Sequence, residues 1–345
     1  MKKLNLFFYF FVCFLAFAVL VFGKLHFLGR YFLQSNSGSG FTNGDMYDMA
    51  EIDSLKGYIP VKNSIEDTKI EEAKIFTLGD SFFQSTLASE NFANLLEEKI
   101  KTPVYNIVQQ SDDYINVANP LIFLQKEKIQ TGKSKVLILE SVDWRSQKRA
   151  RNYLNSIFRE PKLIDKVNKL LYENGDVEYF VRRNKLANSL RQKSKNWEYD
   201  FLNEIDARVG ALDEKSGMAF YFEEVNFHKN NKTDNEIEEM AKQILALSEW
   251  LEKNYNIKLL YINMPSKFAV YGSVADKNFV YDGFSTNLHS SLESKGVNSV
   301  DVYNLFLEYK NQHPQELLYY PSDSHFTPVG KGILLKATAL KIQDM

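Results

Sequence analysis

One cysteine, Cys13, stands in the 345 residues, inside an apolar run near the N-terminus. A lone thiol there excludes an internal disulfide framework, a cysteine-based zinc site and a cysteine nucleophile in the body of the chain. Neither sign of charge is in excess: 42 Lys and Arg against 44 Asp and Glu leave a formal net charge of -2. Bulk electrostatic binding of nucleic acid needs a basic face, and this balance argues against it. Glycine (16) and proline (8) are too few for a collagen-like or low-complexity chain. There is no internal repeat and no coiled-coil heptad. What is present is the composition of a folded globular protein, 44% hydrophobic and 25% charged. The length suits one large domain or two ordinary ones and buries a core without staples.

The first residues specify a location. Lys2 and Lys3 precede an apolar run from Leu4 to Phe22 that Asn5 interrupts, and Lys24 and Arg30 follow. A bilayer is crossed by roughly 20 apolar residues, and a basic flank keeps the N-terminus inside. Ala16-Phe17-Ala18 has the small-x-small form of a signal cleavage site, but the run continues through Val19 to Phe22, which favours an uncleaved anchor over a secreted, cleaved chain. Both readings place the remainder outside the cytoplasm. Residues 1–30 are thus a membrane anchor or signal segment. Residues 31–72 are a linker and lead-in, with Ser35 to Gly40 as a flexible tether.

From residue 73 short apolar runs alternate with helical stretches, the signature of βαβ units. Strands are expected at 75–78, 104–108, 136–139, 259–262 and 300–303, and helices at about 82–101, 235–254, 283–295 and 328–342. The fold class is α/β: a three-layer α/β/α sandwich around a parallel sheet of about five strands. A charged, mainly helical insertion at about 146–232 interrupts the domain and carries one alternating stretch, Met218 to Phe222. Its basic residues Lys148, Arg149, Arg151, Arg159, Arg182, Arg183 and Arg191 read either as a solvated helical surface or as a face for an acidic polymer.

Leu78-Gly79-Asp80-Ser81-Phe82-Phe83 falls where the first strand ends and a helix is expected. Sites in open parallel sheets form at the carboxyl ends of strands, and a helix N-terminus there stabilises negative charge. A lone Gly-Asp-Ser is an ordinary turn or cap. The other end of the chain adds to it: Leu318-Tyr319-Tyr320-Pro321-Ser322-Asp323-Ser324-His325-Phe326-Thr327-Pro328 sets a carboxylate two residues before a histidine, ahead of the last helix. A nucleophilic serine needs a base, and the base an orienting carboxylate. Ser81 would attack, His325 would take its proton and Asp323 would hold the imidazole. Of the other histidines, His26 adjoins the membrane segment, and His228, His289 and His313 lie in polar contexts without a matching partner.

These residues resemble the SGNH (GDSL-type) hydrolase superfamily: Gly-Asp-Ser after the first strand, Asp-x-His before the last helix, serine first in the chain. The Leu318 to Gly330 string is similar to the Asp-Thr-His-Trp segment of the branch holding the alginate O-acetyltransferase-like proteins of bacterial envelopes. Met264-Pro265-Ser266-Lys267 is similar to that branch's Pro-x-Lys, and Glu140 to Arg145 loosely to its Glu-and-Arg segment. The resemblance covers about residues 70 to 345.

The resemblance implies acyl transfer through an acyl-Ser81 intermediate, without a cofactor or a metal. Tentative oxyanion or substrate-binding residues are Asp80, Ser111, Arg145 and Lys267. It implies a polysaccharide acceptor, an acyl donor supplied by a membrane-bound O-acyltransferase, and a single-pass place in the bacterial inner membrane with the domain outside. The chain departs from the family after its second strand, where Ser111 stands near the expected glycine, and after its third, which lacks Gly-x-Asn-Asp. Two other readings stay open: a carbohydrate esterase with water as acceptor, and a non-catalytic polysaccharide-binding or scaffold subunit of an export complex.

Overall fold

The computed structural model describes residues 8 and 10–14, then 70–83 without 71 and 81, 91–107, 120, 121 and 124, 135–154, 185–202, and 209–345 without 214, 231 and 322. The chain divides into two compact units. One gathers 1–51, 59–62 and 159–206, the other 52–58, 63–158 and 207–345. Among the described residues no helix is long and apolar enough to cross a membrane. The expected span from Leu4 to Phe22 lies mostly outside them, as does the tether from Ser35 to Gly40.

In chain order the elements are β1 (Ile75–Leu78), α1 (Phe92–Ile100), β2 (Val104–Asn106), β3 (Lys135–Val142), α2 (Asp143–Ala150), α3 (Lys185–Trp197), β4 (Val209–Asp213), β5 (Met218–Tyr221), α4 (Phe222–His228), α5 (Asp234–Tyr255), β6 (Ile257–Met264), α6 (Lys267–Ala275), α7 (Phe284–Ser294), β7 (Asn298–Val300), α8 (Val302–Gln312) and α9 (Pro328–Gln343). Helix α3, followed by a π-helical turn at Glu198–Leu202, belongs to the first unit; the other elements belong to the second.

Among the described residues, five strands form a parallel sheet in the order β2-β1-β3-β6-β7. Its central strands read Ile-Phe-Thr-Leu, Lys-Val-Leu-Ile-Leu-Glu-Ser-Val and Ile-Lys-Leu-Leu-Tyr-Ile-Asn-Met, near-continuous apolar runs as expected of a sheet covered on both faces. The period of two divides them between two cores. Phe76, Leu78, Leu137, Leu139, Leu259 and Tyr261 join the apolar stripe of α5, formed by Ile237, Met240, Ala241, Ile244, Leu247 and Leu251, and Leu288 of α7. Ile75, Ile138, Leu260 and Ile262 join Leu96 of α1, Phe268 of α6, Phe306 of α8 and Leu334 of α9. Each fully buried Leu, Ile or Phe contributes about 1.5–3 kcal/mol. Strands β4 and β5 form a separate antiparallel pair; with α4 they lie in the same compact unit as the parallel sheet.

The start signals are chemical. Asn91 caps α1 through its side chain, accepting from the Ala93 N–H at 2.9 Å. Thr233 and Glu236 close a capping box on α5. Several expected bounds shift, and local bonds explain two of the shifts. The fifth strand ends at Val300, because Asp301 caps α8 by accepting from the Asn304 N–H at 3.2 Å. No helix begins at Phe82: Phe82 and Phe83 lie in a turn closed by the Phe83 N–H on the Asp80 carbonyl at 3.1 Å.

Candidate functional site

The strand order reverses around β1, which has β2 on one side and β3 on the other. Open parallel sheets bind ligands outside the carboxyl ends of strands at such a switch point. Gly79 and Asp80 follow β1 there, and Asp143 follows β3. Ser81, the expected nucleophile, and Ser111, an expected oxyanion donor, lie outside the described residues. The groups on either side of Ser81 are described.

Asp80 is buried and anchored from several directions. Its backbone N–H donates to Glu140 Oε2 at 2.7 Å. Its carboxylate accepts from the Phe82 N–H at 3.1 Å and the Val142 N–H at 3.4 Å, and pairs with Arg149 Nη1 at 2.8 Å. Arg149 also reaches Ser141 Oγ at 2.9 Å. Burial by itself would raise the Asp80 pKa, but the Arg149 guanidinium and the donated hydrogen bonds hold it below the ordinary value. Glu140 goes the other way. Burial, then the neighbouring Asp80 carboxylate, push it well above the ordinary value. A Cβ on Gly79 would fall 2.4 Å from Glu140 Oε2 and 2.9 Å from its Cβ, so glycine is what lets the turn lie against this carboxyl. Asp80 is thus tied to Phe82 and to the ends of β3 and α2.

The histidine loop is compact. Tyr319 and Phe326 bridge as an antiparallel pair. The Tyr320 N–H donates to the His325 carbonyl at 3.0 Å, and the Thr327 N–H to the Leu318 carbonyl at 2.8 Å. Asp323 is buried, and its Oδ1 meets His325 Nδ1 at 2.5 Å and the His325 N–H at 2.8 Å. Burial would raise the Asp323 pKa, but the His325 ring and its hydrogen bonds keep the carboxyl below the ordinary value. Asp323 is therefore an ionised partner that fixes the ring through Nδ1. The imidazole packs on Phe82, ring centroids 5.1 Å apart, and Phe82 packs on Phe326 at 5.2 Å. The residue immediately after Ser81 therefore touches the expected base.

The remaining expected residues separate. Lys267 is fully buried, and its ammonium donates to the carbonyls of Tyr320, Pro321 and Asp323 at 3.0, 3.1 and 2.8 Å. It faces the loop backbone rather than a substrate surface. Arg145 is about half exposed, stacks over Trp144 at 4.1 Å and pairs with Glu223 at 3.5 Å. Arg149, grouped by sequence with a basic surface, instead forms the buried partnership with Asp80.

His228 also departs from expectation. It does have partners: Nε2 lies 2.9 Å from Asp143 Oδ2 and 3.0 Å from Ser266 Oγ, all three residues buried. Burial would lower its pKa, but the Asp143 carboxylate raises it above the ordinary value. Both contacts use one ring nitrogen and the cluster is closed to solvent, so it is a strut, not a second relay. Asp143 also accepts from the Ser266 N–H at 2.8 Å, tying the ends of β3 and β6 together. His289 bonds Ser299 Oγ at 2.7 Å, and His313 lies 3.8 Å from Glu316. The partners of His228 are 85 and 38 positions away, so no local spacing announces them. Arg149 carried a faint signal, sitting about two helical turns after a strand that ends Glu140-Ser141-Val142.

Compared with family models, with curated proteins and with solved structures, the chain gives no match.

Proposed function

We propose that this chain is an extracytoplasmic serine acyltransferase of the SGNH type, O-acetylating a cell-envelope or secreted polysaccharide. The observation that carries the reading is the Asp323–His325 pair, joined at 2.5 Å, with the imidazole packed on the residue that follows Ser81. In this reading Ser81 Oγ attacks the donor's acyl carbon while His325 Nε2 takes the hydroxyl proton. The tetrahedral oxyanion collapses, the leaving group departs with that proton, and acyl-Ser81 remains. The acceptor hydroxyl then attacks, its proton passes through His325, and Ser81 is restored. The ionised Asp323 favours the imidazolium formed in each half.

The acceptor class rests on the resemblance. The N-terminal apolar run would hold the chain in a bacterial inner membrane with the domain outside, beside a membrane-bound O-acyltransferase that supplies acyl groups.

The test uses the full-length chain in detergent, incubated with an activated acetyl ester and followed by intact mass. Wild type is expected to gain one acetyl group on Ser81, and Ser81→Ala and His325→Ala to gain none. Equal adducts in all three proteins, or none in wild type, overturn the reading. Release of acetate instead of transfer to added polysaccharide would make the enzyme an esterase.

A further inference from the structure

Lys267 opens α6 at the carboxyl end of β6, directly after the Ser266 cap. A buried ammonium is costly unless its protons are satisfied. Here they converge on three carbonyls within four residues of one loop, those of Tyr320, Pro321 and Asp323. Carbonyl oxygens drawn together repel one another, and a cation at their focus removes that repulsion. One of the three belongs to Asp323, whose side chain holds His325. A second, Pro321, also accepts from the Ala219 N–H of β5 at 3.0 Å. The Tyr319 hydroxyl donates to the Pro265 carbonyl, two residues before Lys267.

The charged and titratable groups around this point come from several elements: Glu224 and His228 of α4, Asp143 at the head of α2, and Asp323 and His325 on the loop. The positive charge of Lys267 lowers the pKa of both Asp323 and Glu224. A neutral side chain of similar length would fill the space but supply neither the charge nor the focus for the carbonyls.

We infer that Lys267 is a positioning residue of the proposed acyl transfer, fixing the Asp323–His325 pair through the backbone of its loop and biasing the pair by its charge. This rests on the acyl-transfer reading for its consequence, though not for its geometry. Removing the cation lets His325 keep its proton to higher pH and lets the loop open.

The full-length chain is compared as wild type, Lys267→Met and Lys267→Arg. The His325 imidazole is titrated by NMR, assigned with His325→Ala, and Ser81 is labelled with a fluorophosphonate probe across pH. Lys267→Met is expected to raise the His325 midpoint by about half a pH unit or more and to slow labelling about tenfold at neutral pH. Lys267→Arg keeps the charge and is expected to keep the wild-type midpoint while labelling at an intermediate rate. A folded Lys267→Met with the wild-type midpoint and rate overturns the inference. If Lys267→Met does not fold, amide exchange in Lys267→Arg decides. Faster exchange at Tyr320 and Thr327 with α5 unchanged supports the loop clamp, and unchanged exchange overturns it. A wild type that the probe does not label counts against the acyl-transfer reading, while the titration and exchange still judge Lys267.

Discussion

Asp80 shows how one side chain can serve a neighbour it does not resemble. Its carboxylate is buried, yet the Arg149 guanidinium at 2.8 Å holds it ionised, and the same carboxylate gathers the Phe82 and Val142 N–H groups. Removing one partner of a buried pair leaves an uncompensated charge, at a cost of about 3–5 kcal/mol. Arg149→Met is therefore expected to lose about that much stability in urea denaturation, whereas a surface arginine would lose under 1 kcal/mol. A loss within the surface range would show that Asp80 does not depend on Arg149. The Asp323–His325 pair was legible because its members are two positions apart. Asp80–Arg149 and Asp143–His228 were not, because their separations are 69 and 85 positions and burial is not written in residue type.

The last helix carries two glycines two positions apart with opposite demands. A Cβ at Gly330 would lie 2.6 Å from the Leu318 carbonyl oxygen and 2.9 Å from Phe326 Cβ, the loop that holds His325. A Cβ at Gly332 would meet nothing within 4 Å. Gly330→Ala is expected to destabilise by about 1–3 kcal/mol, because backbone must move. Gly332→Ala is expected to stabilise by about 1 kcal/mol, since alanine costs less helix entropy than glycine. Thermal and urea unfolding of both variants check the pair, and equal signs would show that the helix does not seat on the loop through Gly330. Most elements were readable at this scale: α5 and α9 fall within a residue or so of the expected spans, since capping and periodicity are local. The two misplaced boundaries, the helix start at Phe82 and the strand end at Tyr303, share one cause: local bonds at Phe83 and Asp301 decide where each element stops or begins.

Across the whole molecule, stability should carry the mark of one buried acid. Glu224 is fully buried and accepts from the Tyr221 N–H at 2.7 Å and the Phe268 N–H at 3.2 Å. Burial raises its pKa from 4.5 to about 7, with the positive charge of Lys267 working the other way. An acid whose pKa is raised by folding binds its proton more tightly when folded. Its contribution is thus greatest below the unfolded value and is lost as pH rises from about 4.5 to about 7. Glu224→Gln removes that dependence. The stability of the variant relative to wild type should climb by up to about 1.4 kcal/mol per pH unit across the window and level off above it. Asp80 and Asp323, both lowered, act at more acidic pH and cancel in the difference. A difference flat between pH 5 and 8 would show that Glu224 ionises freely in the fold.

The amino-acid sequence by itself determined the α/β alternation, the parallel strands, the helices α5, α7 and α9 and the pairing of Asp323 with His325. Each rests on short-range periodicity, capping or spacing. Tertiary structure alone decided that Arg149 rather than Arg145 joins the buried network, that His228 ties β3 to β6, and that Lys267 grips the loop from beneath. Those roles depend on which distant side chains share a dry interior, where a charge survives only if the fold brings it a partner.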